Sequence, residues 1–165
     1  MKSAFPPIVN ENSKILILGS MPGEKSLQAQ EYYAFRQNAF WKIMISLLEI
    51  PEETKYKVRI KKLQQNGIAL WDVIERCERV GSLDSKIDHS TVVANDFSAF
   101  LKKYPGIEKI FFNGKSVEAL FKRHVQKKQA LPNNLVLATL PSTSPANASL
   151  TFEKKLEVWR VILNG

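Results

Sequence analysis

The sequence points to a three-layer α/β/α domain, with helices covering both faces of a central four-stranded parallel sheet. Three observations carry this. Four short runs, Lys14–Leu18, Ile68–Ile74, Ile107–Phe112 and Leu135–Leu140, are apolar almost throughout. Strands buried on both faces read this way, whereas strands with one wet face alternate. Helical patterns stand between the runs, as parallel βα units require. Finally, 165 residues with 44% apolar side chains supply one core but not two ordinary domains. A single domain over 1–165 is therefore expected, with no repeat, linker or low-complexity tract.

The elements follow in order. Lys14–Leu18 (KILIL) ends in Gly19-Ser20-Met21-Pro22-Gly23, which neither continues a strand nor starts a regular helix. From Asn38 a helix is signalled, because Phe40, Ile43, Met44, Leu47 and Leu48 fall on one face. Asn38 stands where an N-cap belongs, and Pro51 follows the end. A basic helix is expected over about Thr54–Gln65, stopped by Asn66-Gly67. The strand Ile68–Ile74 follows, and residues 75–95 read as loop. Asp96 is placed to cap the helix DFSAFLKKY, which Pro105-Gly106 ends. Ile107–Phe112 runs into Asn113-Gly114-Lys115, and Ser116–His124 reads as a helix. Leu135–Leu140 runs into Pro141-Ser142-Thr143-Ser144-Pro145. The last helix is expected to set Phe152, Leu156, Trp159 and Leu163 on one face.

Composition narrows the function. Cys77 is the one cysteine, so a disulfide within the chain and a four-Cys iron–sulfur site are impossible. With His89 and His124 the only histidines, a structural Cys/His zinc site is excluded too. No metal or cofactor is expected. No apolar run approaches the ~18 residues of a membrane span. The N-terminal stretch lacks a signal-peptide core, so no membrane association and a cytoplasmic location are expected. The net charge of +8 favours a polyanionic partner. The basic runs at 55–62 and 122–128 fit solvated helix faces as well as binding stripes.

In a parallel α/β sheet the loops leaving the C-terminal strand ends gather at one edge, where ligands bind. Here those loops are GSMPG, the segment after Asp72, NGK and PSTSP. In GSMPG the outer glycines allow a tight turn and close approach of a ligand, and its N–H groups suit an anion or a water. A plain βα turn explains the same pattern, and no Walker spacing is present. Tyr32, Tyr33, Phe35, Phe40 and Trp41 crowd around Asn38. Aromatic faces suit a flat base, although Phe40 belongs to the core face and Asn38 suits a simple cap. The PSTSP loop offers small hydroxyls on stiff backbone, fit for phosphate or for capping the last helix. Asp72 ends the second strand as a lone carboxylate.

Taken together, ILILGSMPG, YYAFRQNAFW, LWDVIERCERVGSLDSKI, FFNGK and LPSTSPANAS resemble the hypoxanthine-DNA glycosylase branch of the uracil-DNA glycosylase superfamily. The likeness runs from about Lys14 to Leu163 and implies the fold already read. It implies a base pocket and water site at Gly19, Ser20, Met21, Pro22, Gly23, Tyr33, Phe35 and Asp72. Superfamily members carry a catalytic Asp, Asn or Glu at the third position of the first loop, where this chain has Met21. The hypoxanthine branch uses an Asn in the NxFW segment, which is Asn38. Gly23 stands where classical uracil enzymes have a Tyr, leaving room for a purine. Asp72 matches the base-reading Asn. As a carboxylate it accepts hydrogen bonds only, so it suits the N1–H of hypoxanthine and opposes adenine, which has none. Tyr33 matches a base-stacking aromatic, with Phe35 beside it. Leu140 replaces the His that stabilises the departing base. Ser142 matches a phosphate-binding Ser, and Thr143, Ser144, Pro145 and Asn147 belong to the loop that meets DNA at the lesion.

The resemblance implies a monofunctional glycosylase, monomeric, acting on DNA that contains deaminated bases and releasing hypoxanthine in base excision repair. Rival readings are a glycosylase for uracil or xanthine, a non-catalytic lesion-binding relative, and an enzyme on free nucleotides.

Overall fold

The computed structural model describes residues 1–164. In chain order the first half comprises β1 (Lys2–Ser3), β2 (Ile15–Gly19), α1 (Glu24–Ala29), α2 (Phe40–Leu48), α3 (Tyr56–Gln65) and β3 (Ile68–Asp72). The second half comprises β4 (Ile74–Arg79), β5 (Ile87–Ala94), α4 (Phe97–Lys103), β6 (Lys109–Asn113), α5 (Lys115–Phe121), β7 (Val136–Leu140) and α6 (Phe152–Trp159). The central sheet has the order β3-β2-β6-β7 and is parallel throughout. Its register pairs Gly19 with Asp72 and Asn113 with Leu140, so these strand ends finish along one edge.

Both faces of β2, β3 and β6 are dry, which is why these strands read as unbroken apolar runs, whereas the edge strand β7 leaves Val136 and Thr139 exposed. Along β2, Leu16 and Leu18 join one core cluster while Ile15 and Ile17 join the other. The first cluster packs Trp71, Ile110 and Phe112 against Phe97, Phe100, Leu120 and Phe121 of α4 and α5. The second packs Leu70 and Phe111 against Phe40, Met44, Leu63 and Trp159 of α2, α3 and α6. Each fully buried Leu, Ile or Phe contributes about 1.5–3 kcal/mol relative to exposure, so these clusters rather than the short helices hold the fold. The expected three-layer architecture is borne out.

Four expectations are corrected. Residues 75–95 are not loop: β4 and β5 pair antiparallel and, with β1, make a second, three-stranded sheet. The run Ile68–Ile74 is not one strand either. It breaks at Val73, whose N–H donates to Gly19 O (2.9 Å), and β4 begins in the other sheet. A short helix, α1, follows GSMPG at once and ends at Gln30 in a left-handed conformation (φ 56°). Finally, Leu163 does not share the face of Trp159. The chain tightens into a 3₁₀ turn over Arg160–Asn164, which buries Ile162 and leaves Leu163 43% exposed.

The cap at Asp96 agrees with expectation, and that of α2 falls on Ala39, one residue past the expected Asn38. Asp96 accepts from Ala99 N (3.0 Å) at the start of α4. Asn38 Oδ1 accepts from Phe40 N (2.9 Å), with Ala39 the residue before the first turn of α2. The helix expected at Ser116–His124 is α5, continued by a π-helical stretch over Lys122–Gln126.

Candidate active site

A cavity of about 1340 Å³ opens at the C-terminal edge of the parallel sheet. The loops after β2, β6 and β7 line it, as does Asp72 at the end of β3. The pocket, catalytic and DNA-contact candidates named from the sequence lie on its wall: Gly19, Ser20, Met21, Pro22 and Gly23; Tyr33, Phe35 and Asn38; Asp72; and Ser142, Thr143, Ser144, Pro145 and Asn147. Phe40 and Trp41 of the aromatic cluster lie in the core instead. The strand-end geometry explains the convergence.

Asp72 lies at the floor and is 4% exposed. Its backbone oxygen accepts from Asn95 Nδ2 (2.8 Å), but its buried Oδ2 has no hydrogen-bond partner. Gly19 faces it across the register, and a Cβ there would stand 2.7 Å from Asp72 Oδ1 and 3.0 Å from the Tyr33 hydroxyl. Only glycine leaves both groups in place. Burial pushes the Asp72 carboxyl up to about 7; the nearby Asp84 charge adds to the rise and Arg79 opposes it. Burial, then the Asp72 charge, also raises the Tyr33 phenol.

Tyr33 takes a left-handed backbone (φ 56°) and stacks on Phe40 with ring centroids 4.0 Å apart and 18° between planes. Its hydroxyl accepts from Asn113 Nδ2 (3.3 Å). Phe35, 43% exposed, stands at the lip. Met21 is buried and joins the core cluster of β2 and β6, so its side chain serves packing. Asn38 spends one Oδ1 lone pair on its cap, which leaves the second lone pair and the amide NH₂.

The loop after β7 is held at several points. Asn113 Oδ1 accepts from Thr143 N (2.9 Å) and Asn113 Nδ2 donates to Thr143 Oγ1 (2.9 Å). Ala39 N donates to Thr143 O (2.9 Å), tying the loop to the Asn38 segment. Thr143 is 1% exposed, and its N–H, its carbonyl and its hydroxyl oxygen all have partners, so it anchors the loop. Ser142 packs against Gly114, where a Cβ would come within 2.9 Å of its own. From α6, Lys155 Nζ donates to Asn147 O (2.8 Å) and Trp159 Nε1 to Pro141 O (2.9 Å).

Sequence reasoning missed three contributors. Asn113 stands in the NGK loop expected at the site, but nothing in the sequence assigns it a role of its own. Asp84 comes from the β4–β5 connection, where its Oδ1 accepts from Ser20 Oγ (2.6 Å) and its Oδ2 from Ser116 Oγ. It thus clamps the first loop to α5. Arg79 lies behind that loop and donates to its carbonyls. A segment read as loop offers no signal for either role. Among the described residues, no three His, Cys, Asp or Glu side chains cluster, and no helix is long and apolar enough to cross a membrane.

Relatives agree with the architecture. The family model of the uracil DNA glycosylase superfamily matches residues 6–163. A hypoxanthine DNA glycosylase from Methanosarcina acetivorans is 34% identical over 165 residues, covering 98% of each chain. One from Methanosarcina barkeri is 38% identical over 115 residues, 69% of this chain and 72% of that one. A solution NMR structure of a candidate uracil DNA glycosylase from M. acetivorans superposes with a TM-score of 0.78 at 32% identity, covering 99% of each chain. The parallel sheet, the cavity at its edge and a family match spanning nearly the whole sequence lead to one conclusion: the chain belongs to the uracil DNA glycosylase superfamily.

Proposed function

We propose that this protein is a monofunctional DNA glycosylase that releases hypoxanthine from DNA. One observation supports the choice of base: a buried carboxyl, Asp72, with an unpartnered oxygen on the cavity wall. Buried polar atoms are nearly always paired, so an orphan lining a cavity calls for a ligand donor. Ionised, Asp72 accepts from the N1–H of hypoxanthine. Gly23, with no side chain beyond its backbone, leaves width for a purine. The two relatives named hypoxanthine DNA glycosylase support the same reading.

The chemistry follows from this placement. The deoxyinosine leaves the duplex at a cost of about a few kcal/mol and enters the cavity beside Tyr33 and Phe35. Ser142, Ser144, Pro145 and Asn147 lie on the DNA side, and the +8 charge assists binding. The bond from C1′ to the base breaks through an oxocarbenium-like state. Asn38 holds the attacking water through its remaining lone pair and amide. A neutral amide is a poor base, so its contribution is positioning. The product is an abasic site without strand cleavage.

The test is single-turnover excision from duplexes carrying one hypoxanthine, uracil or xanthine, with alkali to reveal abasic sites. Hypoxanthine release is expected, and Asn38→Ala is expected to slow it about 10²-fold or more with binding retained. Preferred uracil release would overturn the reading of Gly23 and Asp72. Release of none would make this a lesion-binding protein.

A further inference from the structure

Arg79 ends β4 with its guanidinium buried, and the residue is 4% exposed. Nη2 donates to Pro22 O (2.6 Å), Nη1 to Met21 O (3.4 Å) and Nε to Gly81 O (2.9 Å). Among the described residues, none of the three ion pairs involves it. A buried cation held only by carbonyls is costly, because buried charges are normally paired. Packing alone would be served by an apolar residue.

The loop in front of Arg79 is ordered by the same contacts. Gly19 O accepts from Val73 N (2.9 Å) and Ser20 O from Ile74 N (3.1 Å). With Met21 O and Pro22 O on Arg79, four consecutive carbonyls point to the β4 side. In a trans peptide the N–H points opposite to its C=O, so the N–H groups of Ser20, Met21 and Gly23 turn away from β4. Among the described residues, none of these three N–H groups has an acceptor. All three residues line the cavity. Successive unpaired N–H groups make an anion-binding concavity.

A departing base carries negative charge, and apart from Lys25 and Lys115, both exposed, no lysine, arginine or histidine side chain lines the cavity among the described residues. Asp72 is acidic and repels an anion. Both histidines are elsewhere, paired with each other at 3.1 Å between ring nitrogens. We propose that Arg79 stabilises the leaving base: it fixes the Gly19–Gly23 loop with its N–H groups toward the cavity and adds a positive charge behind them. It is a positioning residue, acting through the loop. The inference rests on the glycosylase reading. In the step concerned, the C1′–N9 bond breaks and its electron pair stays on the purine, which becomes an anion. The water oxygen bonds to C1′ and gives up a proton to solvent. The released base takes up a proton in turn.

The experiment compares excision of hypoxanthine with that of 8-azahypoxanthine, whose extra ring nitrogen makes it the more acidic leaving base with the same N1–H edge. Arg79→Met is expected to slow hypoxanthine release about 10²-fold and 8-azahypoxanthine release less than about tenfold. Arg79→Lys keeps the charge, loses the fork and should raise the ratio of the two rates to a smaller extent. Should Arg79→Met not fold, the ratio in Arg79→Lys decides. Equal slowing of both bases means that Arg79 only supports the fold, and overturns the proposal. A wild-type protein that releases neither base overturns the glycosylase reading, and this proposal with it.

Discussion

The parallel sheet β3-β2-β6-β7 and the antiparallel sheet β1-β4-β5 meet at Val73 and contribute differently to one cavity. The parallel sheet is buried on both faces except along its edge strand β7, is aligned strand by strand, and supplies position. Its ends set Gly19, Asp72, Asn113 and Leu140 along one edge. The antiparallel sheet is irregular in register and half wet. It supplies charge: Arg79 behind the first loop, and Asp84 between Ser20 and Ser116. A rigid sheet places the groups, and a smaller sheet tunes their electrostatics from behind.

The largest expected effect comes from the positional half. Gly19→Ala puts a methyl 2.7 Å from Asp72 Oδ1. That overpacking is expected to cost about 1–3 kcal/mol of stability in denaturant titration. It should also lower excision about 10²-fold by displacing the base-reading carboxyl. A variant with full activity would mean that Asp72 does not hold the base.

The electrostatic half has a smaller signature. Asp84→Asn removes a negative charge that helps raise the Asp72 carboxyl. Any ionisation of Asp72 seen in kinetics should then shift to lower pH. Two charge-assisted hydroxyl bonds are weakened as well, at about 1–3 kcal/mol in thermal unfolding. An unshifted profile would separate the hairpin from the cavity electrostatically.

The smallest effect lies outside the cavity. Burial, then His89, holds the His124 imidazole below its usual value. The native state therefore resists a proton that the unfolded chain takes up near about pH 6.5. The stability it contributes is lost as pH falls below that value, and His124→Gln should flatten the loss. Asp72 acts with the opposite sign. It stays neutral in the folded protein up to about 7, so its contribution is lost as pH rises from about 4 to 7. Melting temperatures of His124→Gln and of Asp72→Asn across pH would separate the two.

The same division governs what could be read from sequence. KILIL and IALWD announce themselves because both faces of each strand are buried, and the site loops follow from where such strands end. IERCER and IDHSTVVA carry charged or polar side chains at their wet positions and pair with register shifts, so the β-branched run Thr91-Val92-Val93 is a weak strand signal among loop-like residues. Asp72, Asn38 and GSMPG are legible as candidates because each sits at an element boundary and in a segment that resembles the family. Arg79 was not, because its role depends on carbonyls 57 and 58 residues away. Helix α1 was lost to its length of six residues. Leu163 was misplaced because a 3₁₀ turn changes the period at the end of α6.

The central claim is that Asp72, as a carboxylate, reads the base. Its most direct test is the pH dependence of single-turnover hypoxanthine release by the wild type and by Asp72→Asn. The ionised form is the stronger acceptor for N1–H, through a charge-assisted bond, so the wild-type rate is predicted to rise through about pH 7 and level off above it. Asp72→Asn, whose amide oxygen accepts at any pH, is predicted to show no such limb. A wild-type rate flat across that range, or the same limb in the variant, would contradict the account.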